Sequence, residues 1–204
     1  MLPESIQRAR SSLKLDHLPV VVLETPRLIV RPFFFDVRDW LAYRKYIEDE
    51  EVTRHLASPR RSEEQVAAGF VSLVVSGRAD PHRRVFAVER RSGNEPIGEC
   101  ALFAEPGDHS LGFLGFILRR DAWGAGYATE AASAMLKHGF ETLGFSRIAA
   151  GATPENLRSQ RVLQKLGLEP ARTPIDVPGA PSGVEPRVFV IERTRWLELG
   201  SANG

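Results

Sequence analysis

The run SLGFLGFIL, residues 110–118, is almost uninterruptedly apolar, and it leads directly into RRDAWGAGYATEAASAML, residues 119–136. A strand apolar on both faces has to be covered on both, as in a sheet packed between helices. The Ala-rich stretch after it has helical spacing over 127–141, with Ala131, Met135, Leu136 and Phe140 on one side. Strand, glycine loop and helix in immediate succession fix an α/β architecture. They also place bare backbone, Gly124-Ala125-Gly126, where the strand hands over to the helix.

The rest of the chain reads around that unit. Leu28–Val30 predicts a strand ended by Pro32, and RVFAVERRSGNEPIGECALF a hairpin of 85–89 and 97–103 around Ser92-Gly93-Asn94. FSRIAAGAT and RVFVIER predict two more strands. A helix is expected over 36–48, capped by Asp36, with Val37, Trp40, Leu41 and Arg44 on one face. A second, capped by Ser62 and closed by Gly77, carries Val66, Gly69, Phe70, Leu73 and Val74; a third, 155–167, puts Val162, Leu163 and Leu166 inside before Gly167. Residues 4–14 are only weakly helical in pattern. The order β-α-α-β-β-β-α-β-α-β predicts a mixed α/β fold: an extension over 1–19, one domain over 20–199 and a tail over 200–204.

The 204 residues suit one domain with a full core. Lys and Arg, 27 together, nearly cancel 26 Asp and Glu, which argues against a nucleic-acid binder. Cys100 is the only cysteine, so a reducing compartment is the simpler expectation. No uncharged run approaches the roughly 18 apolar residues of a membrane helix, and charges occupy the N-terminus where a signal peptide is apolar. A cytoplasmic location with no membrane partner is expected. Histidines 17, 55, 82, 109 and 138 lack metal-ligand spacing, so no metal is expected. No serine sits in a Gly-x-Ser-x-Gly setting.

A helix N-terminus offers unpaired N–H groups and a partial positive charge, and glycine lets a bulky anion approach them. The loop 123–128 therefore suits a phosphate or pyrophosphate, although a tight turn needing glycine would look the same. It is neither a P-loop nor a G-x-G-x-x-G fingerprint. A second motif begins at Pro154, in PENLRSQRVLQKLGLEP, where Asn156 and Ser159 share a helix face.

Together WGAGYATEA and NLRSQRVLQKLG resemble the two signature motifs of the GNAT superfamily of acetyl-CoA-dependent N-acetyltransferases. ETPRLIVRPF and IGECALF are similar to the first and third strands of its Rim-type branch, which acetylates N-termini of ribosomal proteins. The resemblance implies a central twisted mixed sheet of six to seven strands flanked by about four helices. It lays the pyrophosphate loop Q/R-x-x-G-x-G/A over Trp123, Gly124, Ala125, Gly126, Tyr127 and Ala128, with donors continuing to Thr129. Gly126 and Ala128 match, and Trp123 replaces the usual Gln or Arg. Phe116, Ile117 and Leu118 are implied to pair through main chain with the pantetheine arm. Asn156 is implied to bond pantetheine, unless it is only a helix cap, and Ser159 to lie near the thiol, where a hydroxyl can donate to the leaving thiolate.

The general base is less readable. The position that is often acidic in Rim-type relatives is Phe113, leaving Glu99, His109 or an ordered water as candidates. Glu130 reads as a first-turn residue complementing the helix dipole. Arg60, Arg61, Arg83 and Arg84 suit an acidic substrate, the 3′-phosphate of the cofactor or a solvated surface. The implied partners are acetyl-CoA, a primary amine on a protein N-terminus or small molecule, and a second copy in a homodimer. A catalytically silent acyl-CoA sensor is the alternative, and a plain nucleotide-phosphate binder a remote third.

Overall fold

The computed structural model describes residues 1–13, 15–18, 20–57, 61–80, 83–93, 95–178 and 181–202. Eight strands form one sheet in the order β1-β2-β3-β4-β5-β6-β8-β7. They are β1 (Leu23–Glu24), β2 (Leu28–Pro32), β3 (Arg83–Arg90), β4 (Pro96–Glu105), β5 (Asp108–Leu118), β6 (Arg147–Ala152), β7 (Glu169–Pro170) and β8 (Arg187–Glu192). All neighbours are antiparallel except β5 and β6. The helices are α1 (Glu4–Leu13), α2 (Val37–Ile47), α3 (Glu50–Thr53), α4 (Glu63–Arg78), α5 (Tyr127–Glu141), α6 (Leu157–Lys165) and α7 (Arg193–Ala202). The sheet exceeds the expected six to seven strands because β1 and β7 are two-residue edge pairings. Seven helices stand among the described residues where about four were expected; α3 is a single turn of four residues, and α7 carries little periodicity of its own.

Each sheet face has its own core. Leu102, Leu114, Leu118 and Ile148 pack beneath α5 and α6 with Ala131, Met135, Phe140 and Leu163. On the opposite face Phe33, Ala87 and Ile117 meet Trp40, Tyr43 and Tyr46 of α2 and Phe70 of α4. The segment 1–18 joins this second core through Leu2, Ile6 and Leu15, and the Arg78 guanidinium donates to the Leu15 carbonyl at 2.7 Å.

The expected face of α2 holds at Trp40 but not at its neighbours. Val37 and Leu41 are exposed, while Asp39 is fully buried beside Trp40, Ala42, Tyr43, Tyr46 and Ile47. The cause is an ion trio that hydropathy cannot show. Arg31 of β2 donates to Asp39 at 2.7 and 2.8 Å and to Glu89 of β3 at 2.5 Å. Buried charges are retained only when paired and hydrogen-bonded in this way. The caps at Asp36 and Ser62 form as expected, Ser62 with Gln65 in a reciprocal box. Asn94 of the predicted hairpin turn, Arg60 and His82 lie outside the described residues.

Candidate active site

The parallel strands β5 and β6 pair only at Leu111–Phe113 against Arg147–Ala149. Beyond that point they separate, although β5 runs on to Leu118 and β6 to Ala152. The alternation of β5 decides which backbone groups face this gap. Arg119 N–H donates to the Ile97 carbonyl of β4 at 2.8 Å, and Ser110 O accepts from Ser146 N–H on the β6 side at 2.8 Å. Odd residues therefore turn their backbone groups to β4, and Leu114, Phe116 and Leu118 turn theirs to the gap. Of the three predicted main-chain contacts, Ile117 does not face the gap. Its carbonyl lies so close to β4 that a Cβ at Gly98 would come within 2.1 Å of it. The Leu118 carbonyl already accepts the Trp123 indole N–H at 2.8 Å.

The glycine loop closes the mouth of the gap. Gly124 and Gly126 have φ of 78° and 81°, in the left-handed region that favours glycine. Gly126 is the N-cap of α5 and makes no side-chain capping bond. Gly124, Ala125 and Gly126 are exposed, while Tyr127, Ala128 and Thr129 are half-buried. The first-turn N–H groups of a 15-residue helix thus meet the loop surface without a side-chain cap. Across the gap, Asn156 caps α6, its Oδ1 accepting the Ser159 N–H at 3.1 Å. Arg158 of α6 stacks 4.5 Å above the Trp123 ring and so bridges the two sides.

The sheet face opposite α5 carries the other candidates. Glu99, paired with Ile117 in the β4–β5 register, accepts a hydrogen bond from the Tyr46 hydroxyl at 2.5 Å. The residue is partly accessible, but its carboxyl lies among protein atoms. Burial pushes its pKa up against the opposing influence of Tyr46, Arg61 and Arg83. A Cβ at Gly115 would meet only the Ala101 Cβ, at 4.0 Å, so β5 is bare between Phe113 and Ile117 on this face. Phe113 is buried against Phe103, with Ile175 and Val177 of the 171–186 loop beside it. His109 is exposed at the opposite end of β5 from the glycine loop, before the strands separate. The structure does not bring it to the gap. The charge of Arg61 bears on the Tyr43 hydroxyl, and Arg83 lies 5.2 Å over Phe103.

Residues 27–169 match the model of the acetyltransferase (GNAT) domain. The chain belongs to the GNAT acetyltransferase family. It is 32% identical to the uncharacterized N-acetyltransferase YnaD of Bacillus subtilis over 72% of this chain and 81% of that protein. Its fold matches a GNAT-family acetyltransferase from Bacillus anthracis with a TM-score of 0.71 at 24% identity, over 85% of this chain and 99% of that one. The spermidine N-acetyltransferase of Vibrio cholerae, solved with CoA and spermine, aligns over 85% and 99% with a TM-score of 0.67 at 16% identity. The family is one of N-acetyltransferases that use acetyl-CoA.

In this acetyltransferase the loop is held by residues that sequence reasoning passed over. Glu130 does more than sit in the first turn of α5. It accepts from the Thr25 hydroxyl at 2.6 Å, the Arg27 N–H at 2.9 Å and the Arg27 Nε at 2.6 Å. Burial alone would raise its pKa, but these donors outweigh burial and hold it low. Arg27 in turn donates to the Ala125 carbonyl at 2.9 Å and stacks 4.7 Å over the Tyr127 ring. The signal was present in TPRL, a short turn with a cation next to the first strand, but its partner lies 103 residues away.

Proposed function

We propose that this chain transfers the acetyl group of acetyl-CoA to a primary amine by direct attack in a ternary complex. One observation carries the reading. β5 and β6 separate with the backbone groups of Leu114, Phe116 and Leu118 turned into the gap, and an uncapped glycine-lined helix N-terminus stands at its mouth. The gap suits an extended amide-bearing arm added alongside β5, as a peptide adds to a sheet edge. The loop donors of 124–129 suit a pyrophosphate. Trp123 supplies an aromatic wall in place of the polar side chain that often stands there.

Each of the remaining residues has a role in this reading. Asn156 spends Oδ1 on its cap and has Nδ2 as a donor for the cofactor arm. Ser159, three residues on, offers a hydroxyl to the departing thiolate. Glu99 draws an ammonium to the face on which Gly115 leaves β5 bare. The acceptor is a protein N-terminus or a small amine; the Rim-type likeness of ETPRLIVRPF and WGAGYATEA favours the first.

Gly126→Val tests the reading. A branched residue at φ 81° is strained, and its side chain stands where the anion approaches. Losing charge-assisted hydrogen bonds of roughly 1.5 to 3 kcal/mol each weakens CoA binding by about 100-fold or more. Calorimetric titration of the folded variant measures this, and parent-like CoA affinity would overturn the reading.

A further inference from the structure

The segment from Asp49 to His55 reaches across the end of the gap. On one side Arg120, just beyond β5, pairs with Asp49 at 3.2 Å. On the other, His55 Nδ1 lies 3.0 Å from the Thr153 hydroxyl. Thr153 follows β6 directly and is only 6% exposed. Its carbonyl accepts the Asn156 N–H and the Gln160 amide, each at 3.0 Å. His55 is therefore anchored to the turn that presents Asn156 and Ser159. Alternation along β6 puts Thr153 on the same face as Ala149 and Gly151. That is the face where Phe113 packs on Ala149 and where a Cβ at Gly151 would lie 3.1 Å from Val177.

The partners of the ring fix its tautomer. Arg54 Nε donates to His55 Nε2 at 3.0 Å, and a guanidinium has no lone pair to accept with. Nε2 is therefore the acceptor, and Nδ1 carries the hydrogen given to Thr153. Burial, then the Arg54 charge, holds the ring pKa below that of ordinary histidine, against the opposing pull of Glu155 and Glu51. Arg54 is half-exposed and also reaches Glu51 at 3.1 Å, so an incoming cation can take its place.

We propose that His55 Nε2 is the proton acceptor for the acceptor amine, whose ammonium takes the position that the Arg54 guanidinium holds in this structure. The proposal rests on the acetyl-transfer reading above. The ammonium gives one proton to Nε2, and the freed lone pair forms a C–N bond with the acetyl carbonyl carbon. The C–S bond breaks with its electron pair left on sulfur, which takes the second proton lost by nitrogen, with Ser159 as relay. His55 is partly accessible and returns its proton to solvent.

The test is the pH dependence of thiol release from acetyl-CoA with a panel of primary amines and peptides with free N-termini. The parent is compared with His55→Asn, which keeps a donor toward Thr153, and with Arg54→Ala. His55→Asn is expected to bind CoA like the parent by calorimetry, to lose about 100-fold or more in kcat, and to lose the acidic limb of kcat/KM. Arg54→Ala moves that limb to higher pH, because it removes a charge that lowers the ring pKa. A His55→Asn variant that keeps the limb, or keeps kcat within about threefold, overturns the proposal while leaving acetyl transfer standing. A parent that turns over none of the acceptors overturns both.

Discussion

Arg27 and Glu130 lie 103 residues apart in the chain, and their side chains meet at 2.6 Å beside the glycine loop. The pair converts a turn between β1 and β2 into a brace for the start of α5, since Arg27 also holds the Ala125 carbonyl. Glu130→Gln keeps the shape and removes the charge that orients Arg27. CoA affinity is expected to fall about tenfold, equivalent to 1.4 kcal/mol. The melting temperature should hardly move, because a pair with Arg27 half in solvent contributes little to stability. Calorimetric titration beside a thermal melt separates the two effects, and unchanged affinity would remove the bracing role.

Ser159→Ala is expected to leave CoA affinity near normal and lower kcat by roughly 10- to 1,000-fold, the signature of a proton donor used only during the reaction. A variant whose KM for acetyl-CoA rises with kcat intact would instead make Ser159 a binding residue.

Arg31→Met leaves Asp39 and Glu89 buried without their cation. Breaking a buried ion cluster in this way costs about 3 to 5 kcal/mol, which lowers the melting temperature of a chain of this size by the order of 10 °C. Differential scanning calorimetry measures it. A melt within about 2 °C of the parent would show that Asp39 and Glu89 are not stranded as uncompensated buried charges when Arg31 is removed.

His138 of α5 is 7% exposed, and its Nε2 has no hydrogen-bond partner among the described residues. Burial, then the charge of Arg84, depresses its pKa. Unfolding returns it to about 6.5. The contribution of His138 is fully present above that value. It is lost as pH falls from there through the folded value, because the unfolded chain takes the proton first. His138→Gln is therefore expected to narrow the drop in melting temperature between neutral pH and about pH 5. His55 shifts in the same direction in both proteins and cancels in the comparison. An equal drop in the variant would dismiss His138 as the source.

The local rules were legible where local forces decide. The apolar run 110–118, the left-handed glycines and the caps at Asp36, Ser62 and Asn156 all depend on neighbours within a few residues. The face of α2 was read correctly at Trp40 and misread around it, because Asp39 is buried by a cation on β2 and an apolar count assigns a carboxylate to solvent. His55 drew notice only as one of five histidines without metal-ligand spacing, because its partner Thr153 is 98 residues away. His109 looked close to the site because sequence proximity to β5 says nothing about which end of an 11-residue strand the chemistry uses. The edge pairings β1 and β7 are too short to show a period at all.

The separation of β5 from β6 also bears on how long the protein survives in a cell. The folded chain alone possesses the gap, so whatever completes its hydrogen bonds is bound by the native state and not by the unfolded one. A ligand at 100 times its dissociation constant adds about 2.7 kcal/mol to such a state. Opening to proteases becomes rarer by the same factor, roughly 100-fold. A chain that takes an acyl carrier into this gap is therefore expected to resist proteolysis more strongly when the carrier is plentiful than when it is scarce.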